Sequence, residues 1–263
     1  MPPLTDDHAR RVAEVVSLLR SARSLLFVTG AGLSADSGLP TYRGIGGLYT
    51  DADPEDGLPI EVLLSGRHFR ADPARTWKYL AHIGRAGRGA KPNRGHEVIA
   101  EMERHFDRVW VLTQNVDGFH RQAGSRNVID IHGDLHNLRC TACDHHTPTD
   151  DAALANLPPK CPQCRSLLRP DVVLFGEQLP MDAVGTLQRE LRRGFDVVFS
   201  VGTTSVFPYI AGPVLDAYHR KKPSVEINPG DTEVSEFVTV KLPLRAAEAL
   251  DAIWTAYLGE RGA

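Results

Sequence analysis

The sequence predicts an α/β fold in which helices cover both faces of a parallel sheet and a small zinc module is inserted. Three observations support this prediction. Short apolar segments alternate with segments of helical apolar spacing, which is typical of doubly wound parallel sheets. Most of the apolar segments end in glycine or polar residues, as strands do at the ligand-binding edge of such sheets. Two Cys-x-x-Cys pairs interrupt the alternation in one polar stretch.

The apolar pattern gives each element a place along the chain. The run SLLFVTG at residues 24–30 is nearly continuous, as expected for a strand buried on both faces. Residues 38–66 are rich in Gly, Pro and Asp and are interpreted as a long loop with short helical pieces. Helices are expected at about 6–22, 73–86, 94–105, 181–193, 208–221 and 245–258, and further strands at 108–115, 127–133, 171–177, 196–204, 223–229 and 236–242.

These elements divide the chain into three parts. Residues 1–37, 107–133 and 171–263 are expected to form the large sheet domain. Residues 38–106 form a loop and helical module. Residues 134–170 form the zinc module, because they combine the cysteines with little apolar periodicity and would not fold independently without a metal.

The bulk composition is that of an ordinary globular protein. The 263 residues carry a formal net charge of −3, which argues against general binding to nucleic acid or to a lipid surface. No apolar run approaches the roughly 18 residues of a membrane span, and the N-terminus lacks the apolar core of a secretory signal. We therefore expect a cytoplasmic protein, with a monomer as the default state.

A glycine-rich turn follows the first strand. Strand, Gly-x-Gly and helix start is the arrangement that brings backbone amides to a phosphate, although an ordinary βα turn has the same pattern. Ala35 replaces the third glycine of the dinucleotide fingerprint, which is tolerated, but no second strand with a ribose-binding acid follows. The chain instead enters a loop with Tyr42 and Arg43, which are suited to closing over a nucleotide. The alternative for Arg43 is a surface salt bridge.

All four cysteines lie in the two Cys-x-x-Cys pairs, as Cys140, Cys143, Cys161 and Cys164. Without a secretory signal a disulfide framework is not expected, and the spacing is that of a four-thiolate zinc ribbon. A pair of redox dithiols is the alternative. Because four thiolates close the coordination sphere, a zinc ion here is expected to be structural and not catalytic.

Polar side chains follow two further strands. Gln114, Asn115 and Asp117 come after the strand at 108–115 and suit a ribose or an amide ligand, although Asn and Asp also stabilise turns. His132 ends the next strand, where an imidazole beside sugar hydroxyls can act as a general base. A lone histidine is more often structural, so its position alone leaves both interpretations open.

A set of motifs in fixed order resembles the sirtuin family of NAD-dependent protein-lysine deacylases. They are GAGLSADSGLPTYRG, TQNVDGFH, IHGDL, the two cysteine pairs, RPDVVLFGE, VGTTSVFP and EINPGDT. The resemblance spans about residues 8–258. It implies a Rossmann-like NAD domain with a small zinc-ribbon and helical domain inserted.

The resemblance also implies roles for individual residues. His132 and Asn115 would be catalytic. NAD would be held by Gly30, Ala31, Gly32, Ser34, Tyr42, Arg43, Gln114, Asn115, Asp117, Gly202, Thr203, Thr204, Asn228 and Ala246. A protein or peptide with an acylated lysine would pair by backbone with residues 173–177 as an added strand, and would contact Val173, Phe175, Gly176, Glu177, Val206 and Phe207.

The implied reaction consumes NAD and transfers no hydride. The acyl-lysine oxygen attacks the anomeric carbon and nicotinamide leaves. His132 then accepts a proton from a ribose hydroxyl, and free lysine and O-acyl-ADP-ribose are released.

One departure from the family pattern bears on the acyl group. Thr41, Tyr42 and Arg43 resemble the bacterial and mitochondrial branch that removes acidic acyl groups with a Tyr-x-x-Arg pair on a helix. Here that pair falls on Leu80 and Ile83, and two apolar side chains cannot neutralise a buried carboxylate. We therefore expect acetyl, and longer neutral acyl groups, to be preferred over succinyl.

Two other functions would use the same pocket. An NAD glycohydrolase or ADP-ribosyltransferase would consume NAD without deacylation, and the peptide-binding segment and the ribbon argue against it. A non-catalytic NAD or ADP-ribose sensor would not need a base, so the combination of His132, Asn115 and Asp117 argues against that function.

Overall fold

The fold contains a six-stranded sheet, a second sheet of three strands, and helices packed on both. It is known from a computed structural model, which describes residues 5–40, 57–87, 89–150, 154 and 156–261. The strands are β1 Ser24–Thr29, β2 Arg108–Thr113, β3 Val128–Asp130, β4 Gly133–Cys140, β5 His146–Pro148, β6 Leu168–Val172, β7 Val197–Val201, β8 Ser224–Ile227 and β9 Val240–Leu242. The helices are α1 Asp6–Ser21, α2 Ala31–Ala35, α3 Ile60–Leu63, α4 Gly66–Ala71, α5 Pro73–Ala86, α6 Arg94–Met102, α7 Phe119–Gln122, α8 Met181–Arg193, α9 Pro208–His219 and α10 Ala246–Arg261. Of the helices in these described segments, none is both long enough and apolar enough to cross a lipid bilayer.

The large sheet has the order β3-β2-β1-β7-β8-β9, and every pairing in it is parallel. The chain winds outward from β1 through β2 to β3, and then in the other direction from β7 through β8 to β9. The reversal lies between β1 and β7, which makes their carboxyl ends the topological switch point where ligands bind in such folds. The predicted fold class is therefore confirmed.

Each face of the large sheet is covered by its own group of helices. One face packs against α1, α6 and α10, where Phe27 of β1 stacks on Phe199 of β7 with ring centroids 4.7 Å apart. The other face packs against α8 and α9 through Leu187, Ile210 and Val214. Burial on both faces explains why β1 and β7 are continuous apolar runs with no alternation.

The second sheet is antiparallel, with the order β5-β4-β6. The prediction of a strand of the parallel sheet at 171–177 is wrong. The strand β6 ends at Val172 in the second sheet, and Phe175 beyond it forms an isolated bridge with Ser65, before α4. An apolar run of this length identifies a buried strand but not the sheet that pairs with it, because pairing depends on contacts distant in sequence.

The helices α3 to α5 pack on the second sheet. Trp77 of α5 is buried and its indole Nε1 donates a hydrogen bond to the carbonyl of Leu168 in β6, at 3.0 Å. The same apolar cluster contains Leu64, Phe69 and Leu80 from the helical module and Leu138 from β4. The helical module and the cysteine-bearing sheet therefore share one small core.

The four cysteines converge at the end of this sheet. Their sulfur atoms all lie within 4.8 Å of one another, with 3.4 Å between Cys140 and Cys164 and 3.7 Å between Cys143 and Cys161. Sulfur ligands at about 2.3 Å in a tetrahedral zinc site lie roughly 3.8 Å apart, so the cluster fits this metal. The predicted structural zinc site is confirmed at the level of its ligand cluster.

Replacing Cys161→Ser should release the metal, because it removes one of four thiolates from the buried side of the cluster. Zinc content, measured by atomic emission, should fall from one ion per chain towards none, and the Tm should fall by roughly 5–10 °C. Asp144→Asn is the matched control, since this exposed side chain follows Cys143 and offers no sulfur. Full zinc content in the Cys161 variant would contradict a four-thiolate site.

Candidate active site

One cavity of about 880 Å³ lies at the switch point of the large sheet. Its size is in the range of sites that bury a whole small-molecule ligand. The cavity gathers the turns that follow four parallel strands of the sheet. Those turns contribute Gly30, Ala31 and Gly32 after β1, Gln114 and Asn115 after β2, Gly202, Thr203 and Thr204 after β7, and Asn228 after β8.

The turns after β1 and β7 cross in direct backbone contact. A Cβ atom added to Gly32 would lie 2.7 Å from the Cα atom of Gly202, and one added to Gly30 would lie 2.8 Å from the carbonyl oxygen of Gly202. Gly202 itself has φ +60°, a conformation that favours glycine. The glycines at this crossing are therefore required by the contact between two protein loops.

This contact uses amides that the sequence pattern assigned to a phosphate. The Gly30 amide donates to the carbonyl of Val201 at 3.0 Å, and the Gly32 amide donates to the carbonyl of Gly202 at 2.8 Å. The sequence pattern suggested that these two glycines direct their amides at an anion. In the structure both amides donate to carbonyl groups of the protein, and this expectation is corrected. Ala31 lies between them in the first turn of α2, where amides have no acceptor within the helix.

A hydrogen-bonded chain holds the turn after β2 against the turn after β1. The side-chain amide of Asn115 donates to the carbonyl of Gly30 at 3.0 Å and to the Ser34 hydroxyl at 2.9 Å. The Ser34 hydroxyl donates to Asp117 at 2.6 Å, and Asp117 also accepts from the Phe119 amide. Burial raises the pKa of Asp117, and these hydrogen bonds oppose that rise. Ser34 and Asp117 lie behind the cavity wall and position Asn115, which lines it.

Thr203 connects the remaining turns. Its hydroxyl accepts from the side-chain amide of Gln114 at 2.7 Å, and its carbonyl accepts from that of Asn228 at 3.1 Å. Its hydroxyl also accepts from the Ser205 amide at 3.1 Å. The turns after β2, β7 and β8 are thus fixed to one another before any ligand arrives.

A further contact lies at the start of α10, where Arg245 and the Ala247 amide donate hydrogen bonds to Asp36 at 2.6 and 2.9 Å. Ala246, between them, is buried and lines the cavity. The ion pair with Asp36 fixes the start of α10 against the end of α2.

His132 faces the cavity between two hydrogen-bond partners. Its Nδ1 atom is 3.1 Å from the backbone carbonyl oxygen of Gln114, and its Nε2 atom is 2.7 Å from the hydroxyl oxygen of Tyr209. A carbonyl can only accept, so Nδ1 carries the proton in the neutral ring and Nε2 has a free lone pair. Burial lowers the pKa of His132, and the hydrogen bond to Gln114 opposes this effect. The ring is therefore neutral near pH 7, with its basic nitrogen towards the cavity.

Beyond His132 the cavity becomes apolar. The side chains of Leu80 and Ile83 line it, whereas Tyr79 and His82, one residue earlier in each case, are not among the lining residues. Further apolar lining comes from Leu64, Val116, Leu135, Val172 and Leu174. Apart from His132, Arg245 is the only cationic side chain among the described lining residues, and it is paired with Asp36.

The segment 173–177 closes one side of the cavity. The Val173 amide donates to the carbonyl of His132 at 2.9 Å, and Phe175 exchanges backbone hydrogen bonds with the loop before α4. Glu177 accepts from both ends of the buried Arg169 guanidinium, at 2.7 and 2.8 Å, and from the Leu174 amide. Burial alone would raise the pKa of Glu177, but these hydrogen bonds together lower it. The Glu177 carboxylate therefore bonds back to Leu174, three residues earlier in the same segment.

The structure brings most of the residues singled out in the sequence to this cavity. Val206, with 40% of its surface exposed, and Phe207 also line it. Tyr42 and Arg43 lie outside the described residues. None of the four cysteines is among the lining residues.

Sequence reasoning missed Tyr209, Arg169 and the pair of Asp36 with Arg245. Pro208 gave a usable signal for Tyr209. Proline favours the first turn of a helix, so Pro208 predicts that a helix begins there and that Tyr209 lies in its first turn, directly after the motif VGTTSVFP. The partners of the other residues are distant in sequence, and no local pattern identifies them.

A model of the Sir2 family matches residues 30–208. The chain is 52% identical over 251 residues to NAD-dependent protein deacylase 2 of Pseudomonas aeruginosa, covering 94% of this chain and 97% of that protein. It is 38% identical over 240 residues to NAD-dependent protein deacylase 1 of Archaeoglobus fulgidus, covering 91% and 95%.

Solved structures show the same relationship. A variant of a Sir2 homologue in complex with ADP-ribose is 36% identical, with a TM-score of 0.85, and covers 95% of this chain and 97% of that chain. A complex of Sir2 with a p53 peptide and NAD+ is 28% identical, with a TM-score of 0.79, and covers 95% and 98%. Sequence and fold agree over nearly the whole length of the chain. The chain therefore belongs to the Sir2 family.

Proposed function

We propose that the protein removes acetyl and longer neutral acyl groups from lysine side chains of proteins, consuming NAD and releasing nicotinamide and O-acyl-ADP-ribose. The observation that carries this proposal is the position of His132. Its ring lines a cavity that combines polar residues at the strand ends with one cluster of apolar side chains. The names of the relatives, NAD-dependent protein deacylases, support the same activity.

The polar part of the cavity fits a dinucleotide. Thr203, Thr204 and Asn228 with Ala246 would take the adenosine half, and the Gly30 to Gly32 turn would lie along the pyrophosphate. Gln114 and Asn115 would serve the nicotinamide and its ribose, with Ser34 and Asp117 acting through Asn115. When bound, NAD would supply an electrophilic sugar carbon and a leaving group. The fit rests on turns that already hydrogen-bond to one another, which reduces the ordering cost of binding.

His132 would act as the general base. Its fixed tautomer leaves Nε2 free of a proton, and its lowered pKa keeps the ring neutral at physiological pH. It would take a proton from a ribose hydroxyl at Nε2, while Nδ1–H continues to donate to the Gln114 carbonyl. That carbonyl would stabilise the charged ring that results.

The substrate peptide would lie along the segment 173–177, opposite Val206 and Phe207. Its acylated lysine would then enter beside His132, with the acyl chain between Leu80, Ile83 and the other apolar lining residues. A succinyl carboxylate in this channel would be desolvated without a cation among the described lining residues to pair with it, at a cost of several kcal/mol.

An NAD glycohydrolase or ADP-ribosyltransferase is less well supported. Neither activity requires an apolar channel beside the base, and the relatives above are named as deacylases. Incubation of the protein with NAD and one lysine peptide bearing acetyl, butyryl, octanoyl or succinyl, followed by mass spectrometry, separates these activities. NAD consumption with no loss of any acyl group would contradict deacylation.

His132→Ala should lower kcat for deacetylation by about 10²–10⁴-fold, because it removes the proton acceptor. The Kd for NAD, measured by calorimetry, should change little, since neither ring nitrogen is needed to hold the dinucleotide. His136→Ala is the matched control, because this exposed histidine lies within β4, four residues after His132, and is not among the residues that line the cavity. Retained deacetylation in the His132 variant would exclude His132 as the base.

The acid limb of the pH–rate profile should lie below pH 6.5, the usual pKa of histidine. A general base must be unprotonated, and burial lowers the pKa of His132, so the active form persists to lower pH than for an exposed histidine. The pH dependence of kcat/KM for deacetylation would measure this limb, because it reports the pKa of the free enzyme. A limb above pH 6.5 would contradict the neutral, buried state of the ring.

Leu80→Tyr combined with Ile83→Arg should raise the ratio of succinyl to acetyl activity, as kcat/KM, by about 10–100-fold. The gain is that of charged hydrogen bonds to a carboxylate that otherwise has none. His82→Arg is the matched control, since with Tyr79 it gives the same Tyr-x-x-Arg spacing one residue out of register, on residues that do not line the cavity. An equal gain from His82→Arg would show that the register is wrong.

A further inference from the structure

The basic nitrogen of His132 already has a hydrogen-bond partner within the protein. The hydroxyl oxygen of Tyr209 lies 2.7 Å from Nε2. Since Nδ1 must donate to the Gln114 carbonyl, Nε2 must accept in the neutral ring, and Tyr209 is therefore the donor. Burial raises the pKa of Tyr209 to about 12, so the phenol keeps the proton that it donates.

The backbone and a second aromatic ring hold the phenol in place. Tyr209 lies in the first turn of α9, directly after Pro208. Its ring stacks on Phe207 with centroids 5.5 Å apart and an angle of 13° between planes. The His132 ring stands nearly perpendicular to both, at centroid distances of 5.9 and 6.0 Å. The start of a helix thus positions the hydroxyl against the imidazole.

The other ionisable side chains that line the cavity or support its wall have different partners. Asp36 and Arg245 pair with each other, Glu177 pairs with Arg169, and Asp117 accepts from Ser34. Among the described residues, no charged side chain contributes to the lowered pKa of His132. Tyr209 is the one ionisable side chain hydrogen-bonded to its ring in this part of the chain.

We propose that Tyr209 is a positioning residue for the base, holding His132 with Nε2 unprotonated and aimed at the cavity until a substrate hydroxyl replaces the phenol. This inference rests on the proposed role of His132. A hydrogen bond to the lone pair stabilises the neutral imidazole relative to the charged one.

The proton balance follows from this geometry. The ribose O–H bond breaks and an N–H bond forms at Nε2 of His132, while Tyr209 keeps its own proton throughout.

Tyr209→Phe removes this hydroxyl and keeps the ring that stacks on Phe207. In the ligand-free protein, the pKa of His132, followed by NMR of the imidazole nitrogens, should rise by roughly half a unit to one unit, as expected for loss of one hydrogen bond to the neutral form. Tyr218→Phe is the matched control, because it removes a hydroxyl from an exposed tyrosine on the same helix. An unchanged pKa of His132 in the Tyr209 variant would overturn the inference.

The same variants should be compared in the deacetylation assay. The acid limb of kcat/KM, which reports the free enzyme, should move to higher pH in Tyr209→Phe by the amount seen in the titration, and should not move in Tyr218→Phe. A uniform loss of activity with an unshifted limb would indicate a structural role only and would overturn the inference. If the unaltered protein removes no acyl group, the proposed function fails, and the titration of the ligand-free protein still decides the role of Tyr209.

Discussion

The contact between Gly30, Gly32 and Gly202 fixes the geometry on which the rest of the site depends. Two turns from neighbouring strands cross with no side chain between them, and two amide-to-carbonyl hydrogen bonds join them. A methyl group at any of these glycines would force the turns apart. The carbonyl of Gly30 accepts a hydrogen bond from the side-chain amide of Asn115. The hydroxyl of Thr203, the residue after Gly202, accepts one from the side-chain amide of Gln114. One backbone crossing therefore sets the positions of side chains in the turns after β2 and β7.

The position of His132 follows from that arrangement. Gln114, held by Thr203, presents its own backbone carbonyl to Nδ1 of His132 and so determines which ring nitrogen is basic. Tyr209 approaches the other nitrogen from the start of α9. The tautomer of the imidazole is thus determined by one backbone group and one phenol, and the lowered pKa of the ring comes from burial and not from a charged neighbour.

Local patterns in the sequence predicted much of this, and long-range contacts account for the remainder. Continuous apolar runs identified β1 and β7 because both faces of the sheet are covered, and cysteine spacing predicted the metal cluster because its ligands come in local pairs. The run at 171–177 was assigned to the wrong sheet because apolarity does not encode a pairing partner. Tyr209 and His132 are distant in sequence, so no periodicity relates them. The amides of Gly30 and Gly32 were misassigned because glycine permits close approach without specifying what approaches.

His132 also lies at the junction of the two sheets. Its ring bonds to the turn after β2 in the large sheet, while its carbonyl accepts from Val173, directly after β6 in the small one. The next residue, Gly133, has φ +82° and begins β4, with no room for a Cβ against the carbonyl of Asp171. The connection at residues 132–133 and the hydrogen bond from Val173 therefore link the two sheets at the same residue. If the small sheet turned about this connection, the segment 173–177 would turn with its near end tethered to His132, and its outer end would move farthest.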